Sequence, residues 1–371
     1  MNINMIDRQA IYYWKCDRES AFSGENKNNT QQEITEMEAS IYKILESYFG
    51  DNTSKIKTTN SQGNHFIYLV NHNGKKYFFR LENGSEGDNY MEVEANVLKR
   101  IKSIGIPAPI IFDVDSSRTK VSFSYQIMEF INFPDLNSIQ KKTKLNFNEI
   151  ARELGEYMAK WQSITFNGYG PFNVRTLRNT GELEGLHKNY KDYFLLNLDK
   201  HLYFLLENSF FKNDEVIYIK QAVKLNEKYL SFDKGCLVHK DIALWNILGT
   251  EDTIKAVIDW DDTISGDPMD DISILACFHS EEVILNILNG YKKVKGELPE
   301  NYIPRFWLHL LRNMIVKAVI RVGGNYFDKK DDFFLIDTGL NGNSLESVTK
   351  KKIQKALEGL QYHKEIINNL D

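Results

Sequence analysis

Leu237-Val238-His239-Lys240-Asp241-Ile242-Ala243-Leu244-Trp245-Asn246-Ile247-Leu248, followed by Ile258-Asp259-Trp260-Asp261-Asp262, is the stretch that decides how this chain reads. Two short apolar runs end in polar residues at fixed offsets: His239-x-Asp241-x4-Asn246, then Asp259 thirteen positions on. A strand that stops at a carboxylate puts that carboxylate at the mouth of a cleft. Two such ends side by side can hold a base and a metal.

Upstream of this stretch, residues 36–131 read as helix, three strands, helix, two strands. Met37, Ile41, Ile44, Leu45, Tyr48 and Phe49 share one helical face over 36–49, and Gly50 stops it. Strands are expected over 55–59, 65–72 and 75–81, the last two joined by Asn73-Gly74, a strong two-residue hairpin signal. A helix over 90–103 ends at Gly105. Pro107 and Pro109 precede short strands over 110–112 and 121–131. After Pro134 the period changes. Helices are expected over 147–164, 186–208, 214–230, 270–278, 281–291, 302–322 and 347–368, with short strands at 236–238 and 254–258. The fold class is therefore α+β: an N-terminal antiparallel sheet lobe (36–131) plus a larger, mainly helical C-terminal lobe (132–371). Residues 1–35 form a polar extension. Its apolar group Ile11-Tyr12-Tyr13-Trp14 either docks on the body or belongs to a mobile tail.

The net charge of −5 gives no support for a nucleic-acid partner. No run approaches the ~18 apolar residues of a membrane span, and no basic-then-apolar leader opens the chain. Three cysteines, Cys16, Cys236 and Cys277, are an odd number without a CxxC pair. They imply buried thiols in a reducing, cytoplasmic compartment. Aromatic residues make up 12 % of the chain, which fits a well-filled core or aromatic-lined pockets.

The chemistry that suits the opening stretch is phosphoryl transfer. That reaction needs a carboxylate to orient the attacking hydroxyl and take its proton, hard oxygen ligands for magnesium, and a cation on the phosphates. Asp241 suits the first role; Asn246 and Asp259 suit the second. A lone Asp at a strand end is ordinarily a turn or cap residue. Apolar strands on both flanks and a second carboxylate-terminated strand favour a site. His239 reads as a hydrogen-bonding support for the loop.

The same residues, with Gly266-Asp267-Pro268-x-x-Asp271 as a GDPxxD signature, resemble the aminoglycoside phosphotransferase and choline kinase family, which has a protein-kinase-like fold. The likeness covers residues 36–320 and is most specific over 237–271. It implies a two-lobed kinase-like fold, with Asp241 as catalytic base, Asn246 and Asp259 as Mg2+ ligands and Asp271 bracing the loop. It implies ATP, or GTP, as phosphoryl donor. Arg80, in Phe78-Phe79-Arg80-Leu81, stands where many members carry the phosphate-binding Lys, and a forked guanidinium is not geometrically equivalent to an ammonium. Glu94 matches the acid that pairs with that cation. Ser61 and Gly63 fall where the phosphate-covering loop belongs, which a plain hairpin turn also explains. The carbonyl of Glu129 and the amide of Ile131 fall at the hinge that binds adenine in relatives.

The acceptor is less legible. Asp261, Asp262, Asp267, Asp270, Asp271, Glu281 and Glu282 lie within 22 residues. Those facing the cleft, with Asp261 and Asp262 the candidates, would attract a cationic acceptor such as an aminoglycoside; otherwise they are solvated caps. Trp245 and Trp260 either stack on the acceptor or pack beneath the loop. Lys240 stands where Gly is common, near the acceptor or in solvent. Residues 323–343 have no family counterpart. The leading expectation is an ATP-dependent small-molecule O-phosphotransferase, first of all one conferring antibiotic resistance. Its rival is a metabolic kinase for a choline-, amino-sugar- or homoserine-like alcohol. The expected partners are a nucleotide and a small-molecule acceptor, with no nucleic acid or membrane, in a monomer or homodimer. From another class, an inactive kinase-like binding module is opposed by the intact Asp241, Asn246 and Asp259. A protein kinase is opposed by the lack of a DFG sequence and of a long activation segment.

Overall fold

The computed structural model describes residues 12–18, 21–22, 30–59, 65–82, 90–328, 344–366 and 369–371. Helix α1 (Gln31–Phe49) begins five residues before the expected start. Thr30 caps it in a box with Glu33, each side chain reaching the other's backbone N–H, which a search for apolar periodicity does not see. Strands β1 (Lys55–Thr58), β2 (Phe66–His72) and β3 (Lys75–Glu82) follow, then α2 (Tyr90–Ser103), β4 (Ile111–Asp115) and β5 (Ser124–Glu129). They form one antiparallel sheet in the order β1-β2-β3-β5-β4. The β2–β3 hairpin turns through Asn73 and Gly74, both with positive φ, the conformation this pair favours. Alternation along β3 places Phe79 and Leu81 in the core shared with α1. Arg80, on the other face, points toward the rest of the molecule.

The second lobe is built from helices α3 (Leu136–Lys142), α4 (Phe147–Trp161), α5 (Val174–Thr180), α6 (Tyr190–Phe194), α7 (Leu198–Glu207), α8 (Asn213–Asn226), α9 (Met269–Ala276), α10 (Glu281–Lys295), α11 (Tyr302–Gly323) and α12 (Leu345–Tyr362). Helix α11 is buried along almost its whole length, its charged Arg305, Arg312, Lys317 and Arg321 included. Helices α4 and α10 pack so closely that a Cβ on Gly155 would meet the carbonyl oxygen of Ile287 at 2.1 Å, and one on Gly290 that of Arg152 at 2.1 Å.

Two expectations need correction. The single helix over 186–208 is instead strand β8 (Gly185–His187), α6 and α7. Asn189 takes an extended conformation before α6, and Asn197 is left-handed before α7; each interrupts the helical path. The lobe also contains a second five-stranded sheet that periodicity did not reveal. Its strands β6 (Thr165–Phe166), β7 (Tyr169–Phe172), β8, β9 (Gly235–Val238) and β12 (Ile264–Gly266) lie in the order β6-β9-β12-β7-β8. At two to four residues each, they are too short to carry a period. A two-stranded ribbon, β10 (Ile247–Gly249) with β11 (Ile254–Val257), stands beside it. Among the described residues, no helix is long and apolar enough to cross a membrane.

Candidate active site

Strand β9 is fully buried and delivers the chain to His239. The loop that follows is held from behind by Asp271 on α9. Its Oδ2 accepts from His239 N (3.0 Å) and Trp161 Nε1 (3.2 Å), and its Oδ1 accepts from Lys240 N (3.0 Å). His239 is fully buried and supports the loop from inside. Its Nδ1 accepts from Asp241 N (3.3 Å), so Nε2 carries the hydrogen that is donated to Ile258 O (2.9 Å). That bond ties this loop to the end of β11.

Asn246 and Asp259 meet through the β10–β11 ribbon. Ile247 pairs with Val257, and Ile258 N donates to Asn246 O (2.9 Å). Asn246 Nδ2 donates to Asp241 O (2.8 Å) and Asp241 Oδ2 (3.1 Å). Its own Oδ1 is turned away and accepts no hydrogen bond among the described residues. Asp259 is left-handed (φ 64°), an uncommon conformation for a non-glycine residue, and its side chain is 33 % exposed. Burial, then Asp261, pushes its carboxyl up to about 8 against the opposing pull of Arg80 and Lys15. An amide oxygen and a carboxylate oxygen at adjacent strand ends, in a setting crowded with negative charge, are a hard donor set. It fits magnesium better than a thiophilic metal.

The sheet lobe contributes Arg80 and Glu94. Arg80 Nη1 lies 3.2 Å from Glu94 Oε2 and 3.2 Å from Asp259 Oδ1, and Nη2 lies 3.2 Å from Asp261 Oδ2. Glu94 is fully buried and also accepts from Trp260 N (3.0 Å), which joins α2 to the ribbon end. Burial raises its pKa, and Arg80 opposes that rise. At the hinge, Glu129 N donates to Ile110 O (2.8 Å), and its carboxylate accepts from Ile110 N (3.0 Å). Ile131 accepts from Phe133 N (2.9 Å) through its carbonyl, while its amide enters no hydrogen bond among the described residues. Ser61 and Gly63 lie outside the described residues, as do residues 329–343 of the segment without a family counterpart.

The acids that suggested a cationic acceptor are largely engaged inside the protein. Asp261 faces Arg80 and lies 3.7 Å from His65 Nε2. Asp262 lies 3.0 Å from Lys15 Nζ. Asp267 accepts from Arg305 Nε (2.7 Å) beside His309; burial opposes its charge, yet the Arg305 guanidinium, with the neighbouring imidazole, holds its carboxyl well below the usual range. Asp270 pairs with Lys240 Nζ at 2.7 Å. Lys240 is thus neither in solvent nor at an open acceptor surface: it is fully buried, with φ 69°. A left-handed φ is one that glycine adopts without steric cost. Trp260 is also core, edge-on to Trp161 at 5.2 Å and against His239 at 4.4 Å. Trp245 is half-buried against Phe278.

Sequence reasoning did not find Lys15. Tyr13, Trp14, Cys16 and Asp17 are buried against the second lobe. The intervening Lys15 Nζ donates to Asp241 Oδ2 (2.6 Å) and reaches Asp262 Oδ2 (3.0 Å). Burial opposes the charge, but Asp241, Asp262, Asp259 and Asp261 together raise the Lys15 pKa above the ordinary lysine value. The available signal was a knot of aromatics, Tyr12-Tyr13-Trp14, in an otherwise polar tail. Such a knot must be buried somewhere, and Lys15 is the residue it carries along. The neighbouring Cys16, Asp17 and His201 form a buried polar cluster whose hydrogen bonds are already committed. Arg312 donates to His201 Nδ1 (2.9 Å), and His201 Nε2 donates to Asp17 Oδ1 (2.9 Å).

An antiparallel sheet lobe over a helical lobe, with polar strand ends between them, defines a two-lobed kinase-like fold. Solved structures agree. Aminoglycoside phosphotransferase APH(4)-Ia superposes with a TM-score of 0.59 at 16 % identity, covering 86 % of this chain and 98 % of that one. A thermostable mutant of it has been crystallised as a ternary complex with ADP and hygromycin B. A putative fructosamine-3-kinase from Haemophilus somnus 129PT has a TM-score of 0.59 at 19 % identity over 87 % of this chain and 99 % of its own. A putative aminoglycoside phosphotransferase from Ralstonia eutropha JMP134 has 0.57 at 13 % identity over 88 % and 97 %. No curated protein matches the chain by sequence. The profile of the phosphotransferase enzyme family matches residues 58–300, and the chain belongs to that family. It is a kinase that phosphorylates hydroxyl groups.

Proposed function

We propose that the protein transfers the γ-phosphoryl group of ATP, or GTP, to a hydroxyl of a small molecule. The single observation that carries this reading is the convergence of Asp241, Asn246 and Asp259 with the Arg80–Glu94 pair at one cleft between the lobes. Residues 36–131 form the nucleotide-binding lobe in this reading, and 132–371 the catalytic and acceptor-binding lobe. The hinge at Glu129 and Ile131 receives the base through backbone groups, and Ser61 and Gly63 belong to the phosphate-covering loop. Arg80 offers a forked donor to the phosphates once its carboxylate partners release it.

Asp241 orients the acceptor hydroxyl and takes its proton as the hydroxyl oxygen bonds to phosphorus and the bond to the nucleoside diphosphate breaks. Asn246 Nδ2 and Lys15 Nζ both sit on Asp241 Oδ2, which leaves Oδ1 for the acceptor. Asn246 and Asp259 would hold Mg2+, which when bound neutralises charge on the phosphate oxygens. His239 and Asp271 keep the loop in place.

For the acceptor, an aminoglycoside-like antibiotic and hence a role in resistance is the first reading. It is supported by the family and by Asp262, which shares Lys15 with the base. A metabolic kinase for an amino-sugar, choline- or homoserine-like alcohol is the second. It is favoured by Lys15, which already pairs Asp241 and Asp262 and leaves fewer open carboxylates for a polycation. A cytoplasmic location with ready access to nucleotide accords with either. ADP release measured across aminoglycosides and amino-alcohols, with and without magnesium, tests the proposal. Acceptor-dependent, magnesium-dependent release is expected; magnesium-dependent nucleotide binding with no turnover on any acceptor would instead mark a binding module.

A further inference from the structure

The segment 12–18 is not laid loosely over the second lobe. Tyr13 is 2 % exposed and Cys16 0 %. Tyr13 O accepts from Tyr193 OH (2.9 Å), and its phenol oxygen accepts from Lys240 Nζ (3.1 Å). The Arg312 guanidinium lies 3.7 Å from the Tyr13 ring centroid, and the Lys317 ammonium 5.2 Å from that of Trp14. Asp17 closes the segment by accepting from Tyr13 N (2.7 Å) and from His201. These groups come from the catalytic loop, α6, α7 and α11, so the segment is built into the lobe on both sides of Lys15. Within that clamp Lys15, 29 % exposed, reaches the carboxylate expected to act as base.

Electrostatics gives the projection a purpose. Five carboxylates, Glu94, Asp241, Asp259, Asp261 and Asp262, gather around the cleft. Arg80 is spent on Glu94, Asp259 and Asp261. Among the described residues Lys15 is the cation within ion-pair distance of Asp241. Among the described residues, the other donor to the Asp241 carboxylate is Asn246 Nδ2, at 3.1 Å. We propose that Lys15, delivered by the clamped N-terminal segment, is a positioning residue for phosphoryl transfer: bridging Asp241 and Asp262, it turns Asp241 Oδ1 toward the acceptor hydroxyl. This rests on Asp241 being the base. A displaceable plug would need a weakly held segment, and the buried Tyr13, Cys16 and Asp17 oppose that.

The test is steady-state kinetics on the full chain with an acceptor found by the ADP-release screen, comparing Lys15→Ala, Lys15→Arg and Asp241→Asn. Lys15→Ala should lower kcat by about 100-fold, as loss of alignment at a reacting group does, with the KM for nucleotide unchanged. Lys15→Arg should recover part of kcat. Methylammonium should raise kcat of Lys15→Ala while leaving the wild type unchanged, a rescue that a purely structural lysine would not show. A Lys15→Ala enzyme with equal or higher kcat, or one unresponsive to methylammonium, overturns the proposal; higher kcat would mark the segment as an inhibitory plug. If Asp241→Asn itself keeps wild-type kcat, the assignment of the base fails first, and the two failures are told apart.

Discussion

Lys240 sits between the loop support and the proposed base with φ 69°, its ammonium fully buried on Asp270. A left-handed L-residue costs about 1–2 kcal/mol, so glycine would relieve strain. Removing one partner of a buried ion pair costs about 3–5 kcal/mol, so the second effect wins. Lys240→Gly is therefore expected to lower Tm by several degrees in a thermal melt and to loosen Tyr13; a higher Tm would mean that the strain outweighs the pair. The convergence of Asp241, Asn246 and Asp259 was legible in the sequence because apolar strands flank the spacing and a second strand ends in a carboxylate. Lys240, Asp262, Asp267 and Asp270 were not. A run of charges reads the same whether it is solvated or paired inside, and only the fold shows that Arg305, Lys240 and Lys15 come to meet these acids.

Periodicity located most helices because four or more turns average out local exceptions. It failed where elements are short. Strands β6, β7, β8 and β12 owe their existence to neighbours in the sheet rather than to pattern, and residues 186–208 kept an apolar period across Asn189 and Asn197, which break the backbone. The α4–α10 crossing is another feature without a sequence signal, since Gly155 and Gly290 are separated by more than a hundred residues. Each lies where an added methyl would meet backbone oxygen at 2.1 Å. Gly290→Ala must push the helices apart, and overpacking of this kind costs about 1–3 kcal/mol. Chemical denaturation should show that loss with an unchanged m-value. Unaltered stability would mean that the two helices slide past one another without cost.

At the scale of the whole molecule, buried histidines set an acid limit. His201 and His279 are both lowered to about 4, His201 by burial and Arg312 against the pull of Asp17, and His279 by burial and Lys352. Unfolded histidine titrates near ~6.5, so between these values the unfolded chain binds more protons than the folded one. The contribution of these two histidines is therefore full above about pH 6.5 and falls as pH drops toward 4, while Asp259, raised to about 8, contributes in the opposite sense. Melting curves at pH 7.5 and 4.5 should show a smaller loss of Tm in acid for His279→Gln than for the wild type; an equal loss would mean that this ring does not titrate in that window.

The two-lobed fold, the loop and its ribbon all converge on Asp241, and the most direct measurement is ADP release by Asp241→Asn. With an acceptor active on the wild type, kcat should fall by about 10²–10⁴-fold, the usual contribution of a general base, while nucleotide affinity is retained. Wild-type turnover in that variant would contradict the account.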